Sequence, residues 1–213
     1  AQQFKAKFNI DILEGYGLSE ASPVVAVNPL GKPKVGSIGK ILPGLNTKLV
    51  DDTGAEVPLG EIGELLVQGP TVMNGYYNLP EATAKTIING WLHTGDLAYK
   101  DADDYYFIVD RLKDMIINNG ENIYPREIEE LLYAYPGIIE AAVVGIDDPL
   151  RGQTAAAYIV MTEDSVFDKK KLKKYLAENL AIYKIPREFH QMSTLPKTST
   201  GKILKRALSR QGK

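Results

Sequence analysis

Lys202 follows the run Thr198-Ser199-Thr200-Gly201 inside KTSTGKILKR (197–206). A lysine is a compact cation on a flexible stem, and a polar Gly-Lys loop is a natural place to meet phosphate. The common nucleotide phosphate loop also needs a glycine five residues ahead of the Gly-Lys pair and a Ser or Thr behind it. Pro196 and Ile203 occupy those places, so Lys202 belongs to some other arrangement.

Three more stretches hold side chains able to do chemistry. GYGLSE (15–20) begins like a dinucleotide fingerprint but has Glu20 where the third glycine is required, so that reading fails. Ser19 and Glu20 can offer oxygens to Mg²⁺, which takes one or two protein oxygens plus substrate phosphates, and Tyr16 offers a ring for base stacking. The plain alternative is a strand-to-loop turn. WLHTGD (91–96) ends in a carboxylate that we place at the tip of a tight turn, where it caps the turn or accepts from a ribose diol. His93 and His190 stand far apart, with no metal or triad spacing. In DRLKDMIINNGENIYPREIE (110–129), Arg111 is either a surface ion-pair partner or an oxyanion fork. Lys113 and Asp114 read as exposed, and Gly120 permits a backbone shape closed to other residues or a close approach by ligand. Asp101 and Asp103 suggest a calcium loop, but Tyr105 and Tyr106 break it, leaving a polar hairpin turn.

The chain has 213 residues, 44% hydrophobic and 24% charged, which is enough for one or two ordinary globular domains. A net charge of −2 gives no electrostatic footprint for nucleic acid or an anionic surface. With no cysteine there is no disulfide, thiolate nucleophile or cysteine metal site, which fits a reducing cytoplasm. No stretch reaches the ~18 apolar residues of a membrane helix, so only a peripheral membrane contact stays open. The opening AQQFKAKFNIDILEG is broken by Lys5, Lys7 and Asp11 and is no signal peptide; without an initiator Met it reads as part of a longer polypeptide.

These side chains must be held by an α+β framework. GSIGKILPG (36–44), NTKLV (46–50), GELLVQG (63–69) and YYFIVD (105–110) read as short strands between turns, with a helix over 80–88 beginning at Pro80. That half predicts a small barrel or sandwich. Beyond it, MII (115–117), AAVVGI (141–146) and AAAYIVM (155–161) are strand candidates. Ile128, Leu131, Leu132 and Tyr135 fall at helical spacing after Pro125, and Leu172, Tyr175, Leu176 and Leu180 do so behind the capping Asp168, with that helix's lysines on a solvated face. A terminal helix starts near Gly201.

GYGLSE, WLHTGD, DRLKDMIINNGENIYPREIE and PKTSTGKILKR stand in this order, and the series resembles the adenylate-forming superfamily of acyl-CoA synthetases, peptide-synthetase adenylation domains and beetle luciferases. The resemblance covers the whole chain but only the C-terminal part of a family member; the family's Ser/Thr/Gly-rich phosphate loop is not in it. It implies an α+β fold in which residues 1–110 end the large N-terminal domain with a distorted β-barrel, and 111–213 form a small mobile lid. It implies an ATP- and Mg²⁺-dependent ligase joining a fatty acid to coenzyme A through an acyl-adenylate. Gly15, Tyr16 and Gly17 would be nucleotide-binding residues with Tyr16 against adenine, and Ser19 would touch phosphate and Glu20 hold Mg²⁺. Asp96 would bind the ribose hydroxyls, Arg111 the ribose-phosphate region, Lys113 the hinge and Gly120 the pantetheine tunnel. Lys202 would be the lysine of adenylation. Ser19 replaces the commoner threonine and keeps its hydroxyl.

Within the family, GLSEASPVVAVNP looks most like bacterial fatty-acyl-CoA ligases, with Ala21, Pro23, Val24 and Val25 either edging an acyl channel or filling a core. An aryl-CoA ligase or a peptide-synthetase adenylation domain is the runner-up. A non-catalytic nucleotide-binding or interaction module is the reading from another class. On either reading the isolated chain is expected to show negligible carboxylate-dependent pyrophosphate exchange, because the backbone donors for the outer phosphates are missing from it.

Overall fold

The computed structural model describes residues 2–209. They form two compact units, the first ending at Leu112 and the second starting at Lys113. Arg111 therefore lies in the first unit.

The first unit runs α1 (Gln2–Phe8), β1 (Gly15–Gly17), a 3-10 turn (Ser19–Ala21), β2 (Val24–Val27), β3 (Lys40–Ile41), β4 (Asn46–Val50), β5 (Gly63–Gln68), α2 (Pro80–Thr86), β6 (Ile87–Ile88), β7 (Trp91–Lys100) and β8 (Tyr106–Arg111). β1, β2 and β3 form one sheet; β4, β5, β7 and β6 form another, with β8 on β7. A bridge between Gly39 and Tyr106 joins them into one curled half-barrel. No ladder closes β4 back onto β1 among the described residues. GELLVQ forms a central strand because its apolar run is buried almost throughout: Leu65 and Val67 are fully covered, beside Val25, Leu92 and Ala98.

Two expectations change here, and one open alternative is decided. Only Lys40 and Ile41 of the stretch 36–44 are strand, because Gly36, Gly39 and Gly44 all take left-handed φ values and interrupt it. The helix from Pro80 stops at Thr86, where Ile87 and Ile88 leave it to pair with Leu92 and Trp91. Ala21 and Val25 are core residues with no exposure, whereas Val24 is 43% exposed.

A 3-10 turn, Leu112–Asp114, spans the boundary. The second unit continues with β9 (Ile116–Asn118), β10 (Glu121–Ile123), α3 (Pro125–Ala134), β11 (Ile138–Asp148), β12 (Gly152–Met161), α4 (Lys169–Asn179), β13 (Glu188–Gln191) and α5 (Lys205–Leu208). The sheet order is β10-β9-β12-β11, with β13 parallel to β12. The strands of AAVVGI and AAAYIVM are apolar without alternation because both faces are covered. Ala141 and Val143 meet α3 and α4 through Ile128, Leu132, Leu172 and Leu176, while Ala142 and Val144 face Leu195 and Leu208. Asp168 caps α4 by accepting from the Lys170 and Lys171 amides, and the lysines of that helix are exposed. The terminal helix begins at Lys205 rather than near Gly201, which sits in a turn.

Candidate active site

Asp96 is not at the tip of a turn. It lies inside β7, at a bulge where Thr94, Gly95 and Asp96 together face the single residue Leu65 of β5. A bulge takes backbone groups out of the ladder and re-aims side chains. Glu64 and Thr94 supply the missing partners. Glu64 Oε1 accepts from the Gly95 amide at 3.0 Å, and Thr94 Oγ accepts from the Asp96 amide at 3.1 Å. The Thr94 hydroxyl itself donates to the Leu65 carbonyl at 2.7 Å. His93 Nδ1 lies 2.8 Å from Glu64 Oε2, so this histidine belongs to the bulge support. Every residue of HTGD is thereby used in shaping or forming the bulge.

The bulge presents Asp96, only 5% exposed, to two donors. Tyr16 donates its hydroxyl to Oδ2 at 2.5 Å, and Arg111 Nε lies 2.9 Å from Oδ1. Asp96 and Arg111 are register partners across β7 and β8, so the ion pair is a cross-strand contact. Burial, then the bond to Asp96, pushes the Tyr16 phenol well above the ordinary tyrosine range. Each carboxylate oxygen of Asp96 has a further lone pair beyond the one its donor uses.

The 3-10 turn after β1 sets Ser19 outward and Glu20 half-buried. Gly17 permits that turn: a Cβ on it would stand 2.0 Å from the Pro23 carbonyl oxygen. Glu20 is clamped twice by the loop after β5. Its carbonyl accepts from the Met73 amide and its Oε1 from the Tyr76 hydroxyl, each at 2.8 Å. Tyr76 is held in turn, its amide donating to Thr83 Oγ of α2 at 2.9 Å. Among the described residues no group of three or more His, Asp or Glu is arranged for a metal. Mg²⁺ fits such a site through one fixed carboxylate and substrate phosphates, and not through an all-protein cage.

In the second unit, Lys113 lies in the 3-10 turn that opens it. Gly120 follows Asn119 in the tight Asn-Gly turn between β9 and β10, both with positive φ, as a primed hairpin turn requires. Lys202 sits on a small hairpin closed by a bridge between Lys197 and Ile203. The Thr198 amide donates to the Lys202 carbonyl at 2.8 Å, and the Gly201 amide to the Thr198 carbonyl at 2.9 Å. With Gly201 at φ +83, this is a tight turn ending in a left-handed glycine, and Lys202 is the first residue after it.

Residues 1–77 match the family model described as AMP-binding enzyme, and residues 127–202 match that of the AMP-binding enzyme C-terminal domain. The chain belongs to the AMP-binding enzyme family. It is 44% identical over 209 residues to a long-chain-fatty-acid–CoA ligase of Bacillus subtilis, covering 97% of this chain and 37% of that protein. It is 44% identical over 201 residues to a feruloyl-CoA synthase of an Amycolatopsis species, covering 93% and 41%. The crystal structure of ATP-bound MatB from Rhodopseudomonas palustris superposes with a TM-score of 0.91 at 34% identity, over 99% of this chain and 42% of that one. The chain thus spans about two fifths of the length of the curated relatives it matches.

In this member of the family the structure brings together Tyr16, Asp96 and Arg111, and sets Ser19 and Glu20 on the turn that follows Tyr16's strand. Gly120, Lys113 and Lys202 belong to the other unit. Sequence reasoning missed Glu64, Thr94 and Tyr76. Thr94 and His93 stood within a stretch already singled out. Tyr76 carried only the faint signal of NGYYN, a polar-aromatic loop ahead of a proline-started helix. No helix among the described residues is long and apolar enough to cross a membrane.

Proposed function

We propose that this chain is part of an AMP-forming acyl-CoA ligase acting on a fatty acid. The first unit would be the end of a larger N-terminal domain, and the second a small domain that moves about Lys113. The observation that carries the reading is the meeting of Tyr16 and Arg111 on the buried Asp96 beside the Glu20 turn. An aromatic face, a carboxylate for a diol, a guanidinium and a fixed carboxylate are the groups a nucleotide triphosphate needs.

In that reading Tyr16 lies against adenine, with Gly15 and Gly17 letting the strand and turn close beneath it. Asp96 accepts from the ribose hydroxyls and Arg111 holds the ribose-phosphate region. Ser19 donates to a phosphate oxygen, and Glu20 holds Mg²⁺, whose charge when bound offsets that of the phosphates. An oxygen of the acid attacks the α-phosphorus, the bond from that phosphorus to the bridging oxygen breaks, and diphosphate leaves with the electron pair. Lys202 bridges the carboxylate and α-phosphate oxygens while this charge is redistributed. In the second step a thiolate of coenzyme A, passing Gly120, attacks the acyl carbon and AMP leaves. Lys202 is not needed there and would stand in the thiol's path, which is why a residue on a moving unit suits it.

Lys202→Ala in the full-length protein is expected to lower acyl-adenylate formation by ~10²–10³-fold and to spare thioester formation from supplied adenylate. Carboxylate-dependent pyrophosphate exchange reads the first step and thioester release the second. Equal loss in both would refute the two-position account. The feruloyl-CoA synthase relative, at the same identity, supports an aromatic acid as the second reading. AMP release measured across fatty and aromatic acids separates the two.

A further inference from the structure

The turn bearing Lys202 is tied down on both sides, each time by a lysine on a glutamate. On the incoming side Lys197 Nζ forms an ion pair with Glu140 Oε1, and the other oxygen of Glu140 is buried without a hydrogen-bond partner. On the outgoing side Lys205 Nζ stands 2.7 Å from Glu129 Oε1. That same oxygen accepts the Val143 amide at 2.7 Å. Glu129 belongs to α3, and Glu140 and Val143 to β11, so both feet rest on the principal helix and the long strand of the unit.

The backbone reinforces the ties. The Leu204 amide donates to the Pro196 carbonyl at 2.7 Å, and Leu195 and Leu208 are buried on either side of the hairpin. The glutamate side chains are only 15% and 25% exposed, so removal of either cation would strand a carboxylate in poorly hydrated surroundings. Lys202, between the feet, is exposed and joins no ion pair among the described residues. The neighbouring lysines are neutralised and held, and Lys202 is left to act.

We propose that Glu129 and Glu140 are positioning residues for Lys202, fixing its turn to the second unit through Lys205 and Lys197. Lys202 is then delivered by movement of the whole unit, and the turn does not flex on its own. The inference rests on the adenylation role given to Lys202 above.

Glu129→Gln keeps an acceptor for the Val143 amide and removes the charge that holds Lys205. Lys205→Gln and Lys205→Arg approach the same pair from its more exposed side. In the full-length protein, Glu129→Gln and Lys205→Gln are expected to lower kcat for pyrophosphate exchange about tenfold, since a misplacement of order 1 Å near the reacting atoms costs up to ~10²-fold. The KM for ATP and thioester formation from supplied adenylate stay within about twofold, and Lys205→Arg keeps most of the exchange activity. The double variant loses no more than the worse single, because the two residues act as one unit. Parallel loss of both half-reactions, or no loss in either, overturns the proposal. Should Glu129→Gln not fold, the Lys205 pair of variants decides. Lys202→Ala is assayed alongside: if that variant slows both steps alike, the role of Lys202 has failed and this inference falls with it, whereas selective loss there and none in the anchors removes the inference alone.

Discussion

Replacing Gly201 tests whether the turn's backbone sets the position of Lys202. Gly201 has φ +83, and a Cβ built on it meets nothing within 4 Å. A Cβ is therefore not crowded, and Gly201→Ala acts through its own backbone preference. An L-residue held in the left-handed region costs ~1–2 kcal/mol, and asparagine less because it visits that region readily. A β-branched residue is disfavoured more strongly. At 1.4 kcal/mol per tenfold, Gly201→Ala lowers the fraction of correctly formed turn by at most ~5–30-fold. Harm should follow the order Asn, Ala, Val, although asparagine is larger than alanine. The assay is carboxylate-dependent pyrophosphate exchange by the full-length protein, with thioester formation from supplied adenylate as the internal reference. An asparagine variant slower than the alanine variant would refute the reasoning, because side-chain size and not φ would then be in control.

The other expectations concern the first unit. Gly17→Ala puts a methyl carbon 2.0 Å from a backbone oxygen, so it should destabilise by at least ~3 kcal/mol, and an unchanged urea midpoint would contradict the close approach. The Tyr16 phenol titrates above its unfolded value of about 10, so the stability it contributes is present below that pH and lost as pH rises further, when the unfolded chain ionises first. Tyr16→Phe should therefore flatten the alkaline fall in unfolding midpoint, and an equally steep fall in the variant would exclude Tyr16 as its source. Tyr76→Phe removes the donor to Glu20, a bond to a charged group worth ~1.5–3 kcal/mol at most, and should raise the Mg²⁺ concentration for half-maximal exchange about fivefold. Tyr77→Phe, at a residue 90% exposed, should leave it unchanged.

Much of the framework was legible because its signals are local. Pro125 with the spacing Ile128, Leu131, Leu132 and Tyr135 identified α3, and Asp168 identified the start of α4, since a cap and a period need only nearby residues. The stretch 36–44 has the apolar pattern of a strand, but its glycines take positive φ values that interrupt one. A polar loop and a helix N-terminus share the same residue types, so sequence cannot tell the turn at Gly201 from the helix that begins at Lys205. Thr-Gly-Asp is turn chemistry, but a bulge uses the same residues, and only the pairing of β5 with β7 distinguishes the two at Asp96.

Sequence alone determined which chemical groups the chain carries: the phenol of Tyr16, the carboxylates of Glu20 and Asp96, the guanidinium of Arg111 and the amine of Lys202 are fixed by residue type, because a functional group needs no neighbour to be what it is. Tertiary structure decided what holds them. Tyr16 and Asp96 are 80 residues apart, Tyr76 and Glu20 are 56, and Lys197 and Glu140 are 57, and no periodicity or cap encodes a contact at such range. Those pairings arise when strands and helices bury their apolar faces together, and polar groups left near the covered surfaces must find partners from wherever the chain has returned.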